Sequence, residues 1–241
     1  MYQEVKPSEH LNSMIDCYWI FSDNEVCEKF KVLPDTCADL IFDLNQDHGF
    51  ISGVMSRFQH LELAAESDLI GIRFRTENFG SLSKIPLSET KNLRVELSEI
   101  FSPNKLISLE ELKDLETVSD KIIFLENYIA TSFKENCERQ DKMIISVAKN
   151  IRSHQGNINI KDLARSNHLS QRQVERRFKS YIGLTIKEFS NIVRFNYAKK
   201  TIASLTETSL LEIAFDMGFY DHSHMNYEFK RVSGENPSYF R

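Results

Sequence analysis

Apolar residues in the first hundred positions come in short runs. Cys17-Tyr18-Trp19-Ile20-Phe21, Ala38-Asp39-Leu40-Ile41-Phe42 and Leu69-Ile70-Gly71-Ile72-Arg73-Phe74 are separated by polar stretches that carry Gly or Pro. Runs of this length bounded by turn formers predict strands rather than helices. The pattern changes after Pro103-Asn104, which marks a break. Over 105–136 apolar residues recur at helical spacing, among them Val118, Ile122, Leu125, Ile129 and Phe133. This predicts a helical connector that either presents a dimer face or docks on its own domain. From 142 onward the helical period persists, with Pro237 the single proline. It predicts helices near 142–153, 160–166, 171–180, 185–204, 210–216 and 222–232.

The helical part repeats itself. Ile160-Lys161-Asp162-Leu163-Ala164 aligns with Leu210-Leu211-Glu212-Ile213-Ala214 at an offset of 50. Phe178-Lys179 aligns with Phe229-Lys230, Gly183 with Gly234 and Phe189 with Phe240, all at 51. In each copy a small residue (Ala164, Ala214) lets a second helix cross closely. A turn follows, at Asn167-His168 or Met217-Gly218. Then come an apolar anchor facing the alanine (Val174, Met225) and a closing aromatic (Phe178, Phe229). Ser170 and Asp221 are suited to cap the second helix of each pair. Two helices arranged this way form a helix-turn-helix unit. The intervening helix, about 30 Å long at 1.5 Å per residue, approaches the ~34 Å spacing of successive major-groove faces on B-DNA. The expected fold class is therefore α+β. A β-rich N-terminal domain (1–102) and a helical connector or dimerisation segment (103–140) precede an all-α C-terminal domain (141–241) with two helix-turn-helix units.

The overall net charge of -5 would argue against nucleic acid, but it is unevenly spread. Residues 1–140 hold 14 Lys+Arg against 25 Asp+Glu, and residues 141–241 hold 16 against 10. An acidic front and a basic back imply two domains with different partners. Cys17, Cys27, Cys37 and Cys137 form no CxxC pair, which fits a reduced cytosolic chain better than a disulfide scaffold. No apolar run approaches the roughly 20 residues that span a bilayer, and MYQEVKPSEH lacks the layout of an export signal. A cytoplasmic protein without a membrane segment is expected. No GxSxG, HExxH, Walker or GxGxxG spacing occurs, so neither an enzyme nor a cofactor is expected. His222 and His224 are two apart, which is the wrong spacing for a shared helix face, so no metal site is expected.

Residues 142–241 resemble the DNA-binding domain of AraC/XylS-type regulators. The matching stretches include Ile160-Lys161-Asp162-Leu163-Ala164, Leu169-Ser170, Glu175-Arg176-Arg177-Phe178-Lys179, Gly183-Leu184-Thr185, Gly218-Phe219, Ser223-His224, Phe229-Lys230-Arg231 and Gly234-Glu235-Asn236-Pro237-Ser238-Tyr239. The chain departs from that family at His168, where Gly is usual, and at Met225 and Tyr227, where Phe and Arg are common. Residues 1–100 resemble an N-terminal sensor-like domain of one branch of these regulators, through Cys17-Tyr18-Trp19, Leu33–Phe42, Gly53-Val54-Met55-Ser56-Arg57 and Gly71–Arg75. The resemblance implies a transcription regulator. Its partners would be double-stranded DNA and RNA polymerase, with a small-molecule effector and a second copy of the chain as further candidates. The alternative is a protein-binding adaptor with weak, sequence-blind DNA affinity.

With Val174 and Phe178 facing inward, Gln171, Arg172, Glu175 and Arg176 project from the first reading helix as base-contact candidates. Arginine can grip guanine O6 and N7, and glutamate can accept from cytosine N4. His222, Ser223, His224 and Asn226 are the candidates in the second. Lys161, Lys179, Arg194, Lys199, Lys200, Lys230 and Arg231 are phosphate candidates, which position the protein without specifying sequence. In the front domain Arg57, Arg73 and Arg75, at or near the ends of apolar runs, and Trp19 are candidate effector ligands. A structural pairing with Asp35 or Asp39 is the competing reading for these arginines. The cysteines read as small buried hydrophobes.

Overall fold

The computed structural model describes residues 2–22, 29–62, 67–101, 107–135, 137–166 and 169–241. Cys27, the break at Pro103-Asn104, the turn at Asn167-His168 and the side chains of Phe133 and Cys137 lie outside the described residues.

The front of the chain forms strands β1 (Tyr2–Val5), β2 (Ile15–Ser22), β3 (Lys29–Val32), β4 (Cys37–Asp43), β5 (His48–Ser52), β6 (Gln59–Glu62), β7 (Asp68–Arg75) and β8 (Arg94–Glu96). Six of them make an antiparallel sheet in the order β1-β2-β7-β4-β5-β8, while β3 pairs with β6 alone. The three apolar runs are the adjacent strands β2, β7 and β4. Both of their faces are covered, which is why they read as runs rather than as alternation. On one face Tyr18, Leu40, Phe42, Ile70, Ile72 and Phe74 join the main core. On the other, Cys17, Trp19, Phe21, Ile41 and Leu69 form a second cluster with Phe30 and Phe50. Gly71 makes that second face possible. It pairs with Trp19 across β2 and β7, and a Cβ there would come within 2.1 Å of the indole.

Helices α1 (Thr76–Phe79), α2 (Leu97–Ile100), α3 (Leu109–Asp114) and α4 (Val118–Glu135) follow. Phe79, Leu97, Ile100 and Leu112 are buried in the main core. The apolar side of α4 at Ile122, Leu125 and Ile129 is buried in the same core, so this segment docks on the front sheet. Ile123, on the opposite side of α4, is exposed.

The back of the chain is helical: α5 (Lys142–Ser153), α6 (Ile160–Ser166), α7 (Gln171–Ile182), α8 (Ile186–Ser204), α9 (Leu210–Asp216) and α10 (His222–Ser233). Local chemistry sets the helix ends. Ser170/Gln173, Thr185/Glu188 and Ser209/Glu212 are capping boxes, each worth about 1 kcal/mol to its helix. Gly183 and Gly234 end α7 and α10 at φ 91° and 77°, a conformation that β-carbon-bearing residues resist. Two cores result. Val174, Phe178, Ile182, Phe189 and Ile192 centre the first, and Phe195, Ala198, Ile202, Met225 and Phe229 the second. Helix α8 contributes to both, so one rigid element joins the α6–α7 pair (unit 1) to the α9–α10 pair (unit 2). Among the described residues no helix is long and apolar enough to cross a membrane.

Candidate nucleic-acid interface

The buried faces of α7 and α10 decide which side chains remain outside. Val174, Phe178 and Ile182 are buried on α7, and Met225, Phe229 and Val232 on α10. Opposite them Arg172, Arg176 and Lys179 stand exposed at i, i+4 and i+7. Ser223, Tyr227 and Lys230 do the same on α10, each 51 positions later. Residues at this spacing share one helix face. Among the described residues none of these six side chains has a hydrogen-bond or ion-pair partner. Both helices therefore present a free, ordered stripe, starting at a capped N-terminus where the backbone dipole favours anions.

The other base-contact candidates are engaged locally. Gln171 donates to Glu175 at 2.8 Å. The amide of Asn226 lies 3.3 Å from His222 Nδ1. His224 Nδ1 accepts the Tyr220 N–H at 3.2 Å, and its ring stands edge-on to Phe219 at 5.7 Å, which places it in the turn. Tyr227 was not among the candidates drawn from sequence. The offset of 51 that aligns it with Arg176 was the signal available.

The cations divide in the same way. Lys161, Lys179, Lys200 and Lys230 are exposed. Arg194 spans the joint between the units, donating to the Gly156 and Gly218 carbonyls at 3.1 and 3.4 Å over the Phe219 ring. Arg231 pairs with the buried Glu228 at 2.6 Å. Lys199 packs over Phe195 and faces the front domain.

That front-facing side of α8 closes a cavity of about 520 Å³ between the second face of the sheet, β3-β6 and the helical domain. Trp19, Phe21, Phe30 and Phe50 form its apolar wall. Arg73 lies on its floor, 3.2 Å from both Asp35 and Asp39, while Trp19 Nε1 donates to Asp39 at 3.0 Å. Burial pushes the Asp39 carboxyl above the ordinary range, against the pull of Arg73. Arg94 and Lys199 also line the cavity, and neither has an ion-pair partner among the described residues. Burial lowers the pKa of both. Of the front-domain candidates only Trp19 and Arg73 line this space; Arg57 is exposed elsewhere and Arg75 pairs with Asp16 at 2.9 Å. Among the described residues no group of His, Cys, Asp or Glu could hold a metal ion.

One short segment links the cavity to both α7 and α10. Gly53, Met55 and Gln59 line the cavity. Val54 is buried in the core of unit 1 beside Gly183, and Phe58 sits against Gly234 at the end of α10. A Cβ at those two glycines would approach Val54 and Phe58 to 2.5 and 2.9 Å. The Phe58 N–H also donates to the Val232 carbonyl at 2.8 Å. Two clasps reinforce the docking, Lys91–Glu188 at 2.6 Å at the start of α8 and Lys31–Glu235 at 2.5 Å just past α10. Arg152 grips Glu77 through two hydrogen bonds of 3.0 and 3.1 Å, and the Glu77 side chain is only 2% exposed. The Val54 and Phe58 contacts sit at the C-terminal ends of α7 and α10, the two clasps just beyond those ends and Arg152 near the end of α5, and all leave both stripes open.

Residues 163–241 match the family model described as a helix-turn-helix domain, and residues 3–96 match a domain of unknown function (DUF6597). The HTH-type transcriptional regulator MtrA of Neisseria gonorrhoeae is 32% identical over 83 residues, 34% of this chain and 27% of MtrA. The chain thus spans about a quarter of that relative's length. Among solved structures, ToxT of Vibrio cholerae (P21 form) is 16% identical with a TM-score of 0.44, covering 100% of this chain and 97% of its own. The C-terminal domain of AraT of Geobacillus stearothermophilus is 20% identical with a TM-score of 0.39, covering 42% of this chain and 84% of its own. The back of the chain is a helix-turn-helix domain. It is joined here to a front region similar to the DUF6597 domain.

Proposed function

We propose that the protein is a sequence-specific transcription regulator whose two units read adjacent major-groove segments of one duplex. The observation that carries this reading is the pair of exposed stripes, Arg172/Arg176/Lys179 and Ser223/Tyr227/Lys230, without partners among the described residues, on helices joined by the 19-residue α8. At 1.5 Å per residue α8 is about 28 Å long, so one chain supplies two readers and needs no second copy to occupy two groove segments. The exposed lysines at 161, 179, 200 and 230 supply sequence-blind grip on phosphates. RNA polymerase is the proposed partner at the promoter, and the cytoplasm the proposed location.

The cavity is the proposed effector site. Its aromatic wall suits an apolar body, and Arg94 and Lys199, two cations without an ion-pair partner among the described residues, suit an anionic head. The segment from Gly53 to Gln59 gives an occupant a direct route to both reading helices.

The test is to incubate the full-length protein with sheared DNA from its source and sequence what it retains, with Arg172→Ala/Arg176→Ala in parallel. A shared motif that the variant loses, bound with steep salt dependence, supports the reading. Equal, sequence-blind retention by both proteins favours the adaptor.

A further inference from the structure

We infer that the two units read chemically different base pairs: unit 1 a guanine-containing step, and unit 2 an A·T step recognised through the thymine methyl group. This rests on the DNA-reading role proposed above and adds the specificity of each half.

The positions correspond one to one. At an offset of 51, Arg172 is replaced by Ser223 and Arg176 by Tyr227, while Lys179 and Lys230 match. An exposed guanidinium without a protein partner can grip guanine O6 and N7 bidentately, the commonest specific contact in the major groove. A phenol ring cannot. Tyr227 is 65% exposed, and Tyr220, next to the start of α10, is 85% exposed. An aromatic ring held in the groove gains by covering apolar surface, and the C5-methyl of thymine is the apolar feature the major groove displays. Ser223 suits either base, so it does not override the choice made by Tyr227.

The charge around each stripe separates the units further. Residues 160–182 hold six Lys+Arg and two Asp+Glu, whereas residues 210–233 hold two and four. Lys161 and Arg165 on α6 correspond, at an offset of 50, to Leu211 and Phe215 on α9, which are 50% and 57% exposed. Unit 1 is built to hold an anionic groove by charge. Unit 2 offers apolar surface and little phosphate attraction.

The test is selection from a random duplex library by the full-length protein, by Tyr227→Arg and by Arg176→Tyr. The wild type should retain two blocks about one helical turn apart, one centred on G·C and one on A·T. Tyr227→Arg should convert the A·T block to a G·C block and leave the other unchanged; Arg176→Tyr should do the reverse. Replacing thymidine by deoxyuridine in the A·T block should weaken wild-type binding about fourfold, the effect of one buried methyl, and leave Tyr227→Ala unaffected. Two guanine-centred blocks, or deoxyuridine without effect on the wild type, would overturn the inference. A single G·C block would overturn it too and assign the apolar face of unit 2 to a protein partner. Selection of no block at all would overturn the DNA-reading role itself.

Discussion

Unit 1 and unit 2 fill matching buried positions with similar side chains and fill their exposed positions differently. Ala164 and Ala214, Val174 and Met225, Phe178 and Phe229, and Gly183 and Gly234 occupy the same places in two separate cores. Outside, Arg172 corresponds to Ser223, Arg176 to Tyr227, and Lys161 and Arg165 to Leu211 and Phe215. Packing geometry tolerates little change in size or backbone conformation, so the cores hold the backbone of the repeat. The exposed stripes carry no such constraint, and a duplicated fold can then host two different recognition chemistries.

The largest expected effects test the cores. Phe178→Ala and Phe229→Ala should each cost about 3–5 kcal/mol, the usual range for deleting a buried ring, read as a drop in the urea midpoint. Phe229 should be the costlier, since its ring contacts those of Phe195, Phe219 and Phe240 at 4.8–6.4 Å, whereas among the described residues Phe178 meets only the ring of Phe189 at 5.4 Å. Equal losses would mean that the aromatic cluster adds nothing beyond area. Next comes the tie between the domains. Glu77→Ala leaves Arg152 without its buried partner and should cost about 3 kcal/mol. A loss below about 1 kcal/mol would show that Arg152 reaches solvent when released.

These cores were largely legible in the sequence, because local rules set them. The helix limits fall within two residues of those read from period and caps, since Ser170, Thr185, Gly183 and Gly234 act on their own neighbours. The three central strands showed as apolar runs because both of their faces are buried. Strands β1, β3, β5, β6 and β8 are three to five residues long and carry no such signal. Period alone could not say what covers α4, since the same stripe serves a dimer or the chain's own sheet. Arg194, Lys199 and Arg231 read as surface cations, yet the structure turns them toward a joint, a cavity and a buried glutamate. Those fates depend on contacts between segments tens of residues apart. The contacts of the Gly53–Gln59 segment with α7 and α10 were invisible for the same reason.

Smaller effects separate the stripes. On a selected site Arg176→Ala should cost about 1–3 kcal/mol and relax the preference at one position. Lys179→Ala should weaken binding on all sequences alike and lower the salt slope by about one. Both are read by fluorescence titration at several salt concentrations. If Arg176→Ala behaves as Lys179→Ala does, unit 1 grips backbone rather than bases, and the contrast with unit 2 disappears.

The smallest expected effect concerns how the start of α8, just after unit 1, is held to the front domain. Burial alone would raise the Glu188 carboxyl, but the hydrogen bond from Lys91 and those from the Thr185 N–H and hydroxyl outweigh it and hold its pKa below the ordinary 4.5. A carboxyl depressed by folding stabilises the native state above its unfolded value, and the contribution disappears as the pH falls through the folded value. The clasp is partly solvated, so its worth is about 1 kcal/mol or less. Lys91→Met should remove most of it at pH 7 and little of it at pH 3, so the two proteins' stabilities should converge on the acid limb of a urea-midpoint profile. Curves that stay parallel down to pH 3 would mean that Lys91 acts through packing of its aliphatic stem. The attachment beside unit 1 would then rest on packing, such as that of Val54 and Leu87 against Gly183 and of Gly80 against Tyr181.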